Sequence, residues 1–139
     1  MQENTRIDEK RIQEAQQEIQ NKFGIVFSAV ENGNACGELI LQTQHRNLYG
    51  IPYGGIMFNL ADNTAGMAFL SAGGNGITVN GNVNYLRGAS AEADRLICQA
   101  SVKKAGRRLF FLSAEVSDNY GTVLSEYSFV FTNLSTGEK

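Results

Sequence analysis

Tryptophan is missing from this chain, proline and histidine occur once each, and cysteine occurs twice among 139 residues. Cys36 and Cys98 stand far apart and outside any CxxC or zinc-like spacing, so neither a disulfide framework nor a metal cluster follows from them. They read as small core side chains. His45 has no partner at metal-ligand spacing, and the GxSxG, HExxH, P-loop and GxGxxG patterns are all missing. Serine-hydrolase, zinc and P-loop chemistries are therefore disfavoured, and no metal is expected.

Long apolar runs are equally scarce. The longest, residues 56–70, is short for a bilayer and is interrupted by Asn59, Asp62 and Asn63, so no membrane span is expected. The formal charge of −2 and a pI near 5.4 give no general attraction to phosphodiester backbones or anionic lipid. Neither nucleic acid nor membrane is an expected partner. Residues 1–23 are polar and charged throughout, unlike a secretory signal with its continuous apolar segment, which points to the cytoplasm.

What remains is an ordinary globular composition, 42% hydrophobic and 19% charged, at the length of one domain. Thr5 and Asp8 resemble a capping box, and Ile12, Ala15, Ile19 and Phe23 recur at helical spacing, so residues 1–22 read as an amphipathic helix. A domain over residues 23–134 and a short tail at 135–139 complete the division. Residues 25–30 and 36–43 read as strands joined by an Asn32-Gly33 hairpin turn. A shaped loop holding the lone Pro and His then leads into a helix over residues 54–70, about 25 Å long. That helix is apolar around nearly its whole circumference, as expected of one enclosed on most sides. Four strand-like runs follow, at 77–87, 95–104, 107–118 and 122–133, and short turns between them predict an antiparallel meander curled over the helix. The class is α+β.

Alternation in the first of those runs puts Ile77, Val79, Val83 and Tyr85 on one face and Thr78, Asn80, Asn82 and Asn84 on the other. An uncharged Asn row suits a partner chain or a ligand groove, though a hydrated strand also fits.

Asp62 lies too deep in the apolar helix to cap it. Burying a carboxylate without partners costs several kcal/mol, so it must be hydrogen-bonded, exposed in a groove, or used. Gly55, Asn59, Asp62 and Gly66 follow a 4-3-4 spacing that places them on one small, polar stripe. At the helix start, Gly54 and Gly55 offer unobstructed N–H groups at the positive end of the dipole, where an oxyanion is stabilised by about 3 kcal/mol per well-placed donor. A tight turn before a packed helix accounts for them equally. Lys103, Lys104, Arg107 and Arg108 crowd one hairpin tip, either as a solvated turn or as a site for a polyanionic ligand.

The run Asn47-Leu-Tyr-Gly50-Ile-Pro-Tyr53-Gly54-Gly55 followed by a helix with Asp62 resembles the hotdog-fold acyl-CoA thioesterases, in particular the small phenylacetate-pathway (PaaI-like) group. The likeness extends through Thr78 and the VNYLR run to the KKAGRRL hairpin and the last strand. It implies a hotdog fold, five to six antiparallel strands around one central helix, with Asp62 as general base or nucleophile on a thioester carbonyl. It further implies Gly54 N–H as oxyanion donor, and Asn47 and Thr78 holding water or substrate. Gly55, Asn63, Lys104, Arg107 and Arg108 become substrate-binding candidates, the basic ones toward the CoA phosphates. No cofactor beyond the substrate's own coenzyme A is implied. The resemblance also implies a homodimer, extending to a dimer of dimers, whose sites join Asn47 and Gly54 of one chain to Asp62 and Thr78 of the other.

One position departs from that pattern. Tyr53 stands where the group carries His, and a phenol is no base near neutral pH, though it donates a hydrogen bond to a carbonyl or sulfur. A carboxylate-led hydrolysis survives the change. A non-catalytic module that binds acyl-CoA is the alternative that Tyr53 raises.

Overall fold

The computed structural model describes residues 2–134, with side chains from residue 9 onward. Helix α1 (Gln2–Phe23) leads into strands β1 (Val26–Glu31) and β2 (Asn34–Ile40). The central helix α2 (Gly54–Ser71) follows, then β3 (Gly76–Tyr85), β4 (Arg95–Ala105), β5 (Leu109–Asp118) and β6 (Val123–Asn133). The Thr5/Asp8 capping pair involves side chains outside the described ones, and the helix already begins at Gln2. The tail at 135–139 also lies outside the described residues.

Turn chemistry sets several of these boundaries. Asn32 and Gly33 both adopt positive φ, 54° and 80°, between paired Glu31 and Asn34. This is the two-residue hairpin geometry that Asn-Gly favours. At the end of α2, Gly73 takes φ 93° while the Gly74 N–H reaches Phe69 O at 2.9 Å and the Gly73 N–H reaches Leu70 O at 3.0 Å. A left-handed glycine thus closes the helix by satisfying its last carbonyls.

The six strands form one antiparallel sheet in the order β1-β2-β4-β5-β6-β3. Only β4-β5-β6 is a meander. β3 pairs with β6 at the far edge, because the partner positions on β4 are taken by β2 and β5. Short linkers favour sequential pairing, but the 86–94 connection carries the chain back across the sheet instead.

The concave face wraps α2. Leu60, Ala61, Ala65, Met67, Ala68 and Phe69 are almost fully buried against Leu96, Cys98, Leu112, Val116, Leu124, Phe129 and Phe131. Each large side chain contributes roughly 1.5–3 kcal/mol by leaving water. Phe69 meets Phe110 edge-on at 4.9 Å, and Phe58 meets Phe129 at 5.5 Å. Small residues set the closest approach. A Cβ at Gly37 would collide with the Thr64 hydroxyl, so glycine there lets β2 lie close against the helix.

The alternation read for β3 holds only in its second half. A register shift between Thr78 and Asn80 makes Val79 an extra residue, so that Thr78 faces Phe131 and Asn80 faces Val130. A bulge reverses the phase of everything before it. Thr78 therefore joins Val83 and Tyr85 on the helix side, and Ile77 turns outward, exposed. Asn80, Asn82 and Asn84 stay on the outer face, where Asn82 donates to Asn80 at 2.9 Å.

Candidate active site

The bulge brings Thr78 to Asp62. The Thr78 hydroxyl donates to Asp62 Oδ1 at 2.8 Å, joining the edge strand to the middle of α2. Asn63, one residue on, does not share that carboxylate. Its Nδ2 donates to Asn59 O at 2.9 Å and Asn59 Oδ1 at 3.1 Å, so the Asn59–Asn63 pair is self-satisfied. Asp62 is half-buried at a cavity of about 440 Å³ between α1, α2 and β3. Ala15, Ile19, Met67, Leu70, Ile77 and Phe131 supply apolar walls, and Asp62 is the one charged group among the lining residues. A solvated carboxylate at an apolar cavity, held by one hydroxyl, has its other oxygen open for a proton.

The second group of candidates gathers at the start of α2. Asn47 Oδ1 accepts the Tyr49 N–H at 2.9 Å and the Ile51 N–H at 3.3 Å, so this side chain shapes its own loop. The Tyr53 N–H closes onto His45 O at 3.0 Å, and Tyr53 then begins the helix with extended backbone and a half-exposed phenol. The first N–H groups of a helix have no intrahelical acceptor, which leaves the Gly54 and Gly55 amides as donors. A Cβ at Gly55 would meet nothing within 4 Å, and Gly55 is exposed, so the helix start is open on that side.

Two residues that the sequence did not mark complete this end. The Tyr85 hydroxyl donates to Gly54 O at 2.9 Å, and a Cβ at Gly54 would lie 3.0 Å from the Tyr85 ring. Arg46 donates to Gly50 O at 3.0 Å and Ala93 O at 2.7 Å, binding the glycine loop to the connection after β3. The lone aromatic in the Asn-rich second half of β3 was the available signal for Tyr85. Nothing in the sequence marks Arg46, because its acceptors are backbone carbonyls.

These two groups do not meet within one chain. Gly54 and Asp62 sit eight residues apart on the same helix, about 12 Å along its axis, too far for both to touch one carbonyl group.

His45 lies elsewhere, lining a cavity of about 780 Å³ with Phe23, Val26, Ile40, Ile56 and Asn59 that includes neither Asp62 nor Thr78. Its Nδ1 accepts the Gln42 N–H at 2.9 Å. Partial burial, helped by the Arg46 guanidinium, holds its pKa below the ordinary value. Lys104, Arg107 and Arg108 lie at the β4–β5 turn and line neither cavity. Register pairing of Leu109 with Thr132, and of Thr132 with Ile77, sets that turn two strands from the Thr78 end of β3, roughly 10 Å across the sheet. Among the described residues, no group of three or more His, Cys, Asp or Glu side chains is gathered to hold a metal ion. No described helix is long and apolar enough to cross a membrane.

A six-stranded antiparallel sheet curled around one long helix, with a second helix ahead of it, defines the hotdog class. Residues 49–125, more than half of the chain and spanning the α2 start, Asp62 and Thr78, match the model of the thioesterase superfamily, and the chain belongs to that family. It is similar in structure to the PaaI protein of the Escherichia coli phenylacetic acid degradation operon, with a TM-score of 0.83 at 18% identity over 96% of this chain and 100% of that one. A hypothetical thioesterase from Streptococcus pneumoniae, solved with coenzyme A, gives a TM-score of 0.75 at 18% identity over 84% and 97%. A curated Archaeoglobus fulgidus protein, provisionally named an esterase, is 24% identical over 96 residues, 69% of this chain. That match spans 62% of the curated relative's length.

Proposed function

We propose that this protein hydrolyses an acyl-CoA thioester at a site shared by two copies of the chain. The observation that carries the reading is Asp62, held by Thr78 at the mouth of an apolar cavity and separated by about 12 Å from the helix-start amides of Gly54 and Gly55. Membership of the thioesterase superfamily supplies the reaction class, and the coenzyme A bound to the Streptococcus pneumoniae structure favours a CoA ester as the substrate.

In this reading Asp62 takes the proton of a water that attacks the thioester carbonyl, or attacks it directly and is then released by water. The carbonyl oxygen gains negative charge as the C–O bond forms, and the amides at the start of the other copy's α2 receive it. In the general-base route the C–S bond breaks and CoA leaves as the thiol, taking the proton that Asp62 drew from water. In the direct route CoA leaves as the thiolate, and water then hydrolyses the acyl–Asp62 anhydride to the acid and the free carboxylate. Tyr53 is placed beside those amides and donates a hydrogen bond to oxygen or sulfur rather than acting as a base. Lys104, Arg107 and Arg108 attract the CoA phosphates from the neighbouring hairpin.

The second copy has a natural place to attach. β3 is a ten-residue edge strand without a charged or proline residue, and its Ile77 and Val79 are exposed. Natural sheets rarely leave such an edge unprotected. In the glycine loop, Leu48 is 97% exposed and Tyr49 81%, apolar surface that a neighbouring copy would cover. Pairing β3 with β3 makes a homodimer, and a dimer of dimers extends the same assembly.

The test is hydrolysis of a panel of straight-chain and aromatic acyl-CoA esters, followed by thiol release, with wild type and Asp62→Asn. Turnover that falls about 100-fold or more in the variant supports the reading. Equal turnover rejects the role of Asp62, and tight binding of the panel without turnover favours the non-catalytic module that Tyr53 raises.

A further inference from the structure

We propose that the N-terminal helix sets which acyl group this protein accepts, through Ala15 and Ile19 acting with Gly66 of α2. The inference rests on the thioesterase reading above and names the specificity of its site. Seen alone, α1 is a polar helix with a thin apolar stripe, the form of a decoration lying on a domain. Its placement gives it more to do. Ile12, Ala15 and Ile19 are partly buried against the core, and Ala15 and Ile19, one turn apart, form a wall of the Asp62 cavity.

The cavity has a direction. Along α2 it is lined by Asp62, Asn63, Gly66, Met67, Phe69 and Leu70, so it runs from the carboxylate toward the C-terminal end of the helix for about 12 Å. Lys22 and Phe23 of α1 sit beside Ile56 and Asn59 in the other cavity, while Ala15 and Ile19 sit beside the later residues of α2. The two helices therefore run in opposite directions. Ile19 lies nearer the carboxylate, and Ala15 farther along the apolar path.

An acyl group with its carbonyl at Asp62 extends down this path, meeting Gly66 one turn on, then the α1 wall, with Phe131 opposite. Every lining side chain beyond Asn63 and Thr78 is apolar, so the site takes an unsubstituted hydrocarbon or aromatic tail rather than a polar one. The smallest residues on the path, Gly66 and Ala15, are the ones whose enlargement shortens it. A Cβ at Gly66 would meet only Phe131 at 3.8 Å, an ordinary contact, so that substitution is accommodated by the fold.

The experiment measures kcat/KM from acetyl-CoA upward through longer saturated chains for wild type, Ala15→Leu, Ile19→Ala and Gly66→Ala, with thermal unfolding to check each fold. Ala15→Leu and Gly66→Ala should lower the ratio of kcat/KM for the longest accepted chain to that for acetyl-CoA by about tenfold or more. Ile19→Ala should move the optimum to longer chains. Wild-type hydrolysis with an unchanged chain-length profile in all three variants overturns the inference and leaves the thioesterase reading standing. If wild type hydrolyses nothing, the thioesterase reading fails separately, and calorimetric binding of S-alkyl-CoA thioethers decides the inference. Affinity profiles that shift with these variants support it, and superimposable profiles overturn it.

Discussion

The Thr78 hydroxyl donates to the Asp62 carboxylate at 2.8 Å, tying the edge strand β3 to the third turn of the central helix. This is the only hydrogen bond to that carboxylate among the described residues, so Thr78 alone fixes its direction. Thr78→Val keeps the shape and removes the donor, while Thr78→Ser keeps the donor. We expect Thr78→Val to lower kcat about tenfold, with Thr78→Ser within about threefold of wild type, since a hydrogen bond to a charged group is worth roughly 1.5–3 kcal/mol. Steady-state kinetics on one acyl-CoA check this, and equal rates for the valine variant would remove Thr78 from the site.

Gly54 and Gly55 make opposite predictions although they are neighbours. A Cβ at Gly54 meets the Tyr85 ring at 3.0 Å and its hydroxyl at 3.1 Å, so Gly54→Ala must displace the residue that holds the helix start. It should lose stability as well as activity. At Gly55 a Cβ meets nothing within 4 Å, and alanine is favoured over glycine in a helix by up to about 1 kcal/mol. Gly55→Ala should therefore melt no lower than wild type yet turn over acyl-CoA more slowly, because the methyl group adds bulk at the exposed helix start that the substrate approaches. Thermal unfolding beside kinetics separates the two outcomes. Tyr85→Phe, which deletes only the bond to Gly54 O, should fall between them.

His45 gives a pH dependence with a definite sign. Its Nδ1 accepts the Gln42 N–H, which requires the neutral ring, and partial burial with the Arg46 charge lowers its pKa from 6.5. Lys22 and Glu38 line the same cavity and supply the other charges nearby. A depressed pKa contributes stability above the unfolded value that is lost as pH falls through the folded one. The loop over residues 42–53 should loosen on that descent. Carbon-bound proton shifts of the single imidazole should titrate with a midpoint below 6.5, and a midpoint above 6.5 would contradict the geometry.

Much of this architecture was readable from local chemistry. The Asn32-Gly33 turn, the glycine stop after Ser71 and the apolar girth of α2 each follow from residues acting on their immediate neighbours. The position of β3 beside β6 was not readable, because alternation specifies a strand and not its neighbour. One bulge at Val79 also hid Thr78. Strict alternation puts Thr78 among the outward Asn side chains, and only the resemblance to known thioesterases put it near Asp62. Contacts such as Tyr85 to Gly54 and Arg46 to Ala93 join residues more than thirty positions apart through backbone carbonyls, which have no sequence signature.

Cys98 predicts how stability changes in alkali. The thiol is fully buried beneath the sheet, and burial raises its pKa from 9.0 to about 12, with weaker pulls from Thr64 and the Glu115 backbone the other way. Above pH 9 the unfolded chain releases a proton that the folded chain retains, so stability falls as pH rises between those values. The contribution is at most about 4 kcal/mol by the ordinary conversion of pKa into free energy. Urea midpoints at pH 8 and pH 10.5 should separate further for wild type than for Cys98→Ala, since the other alkaline groups are common to both. Half-buried Cys36 should meanwhile alkylate in the native protein, with Cys98 reacting only after unfolding.

The division of the site between two chains can be tested without a structure of the assembly. If Asp62 of one copy faces the Gly54 amide of the other, Asp62→Asn and Gly54→Ala disable different halves of the same site. Mixing the two inactive proteins and letting subunits exchange then builds hybrids in which one site pairs an intact Asp62 with an intact Gly54. The remaining site of each hybrid carries both lesions. With random exchange of equal amounts, half of the dimers are hybrids with one good site of two, so about a quarter of wild-type activity should return. Two copies each carrying a self-contained site give no such recovery, because each hybrid site would still bear its own lesion. Gly54→Ala must first be shown to exchange into mixed dimers, by mass spectrometry of differently labelled subunits. Hybrids that form and stay inactive would show that one chain's own helix supplies both groups, which the eight-residue separation between them argues against.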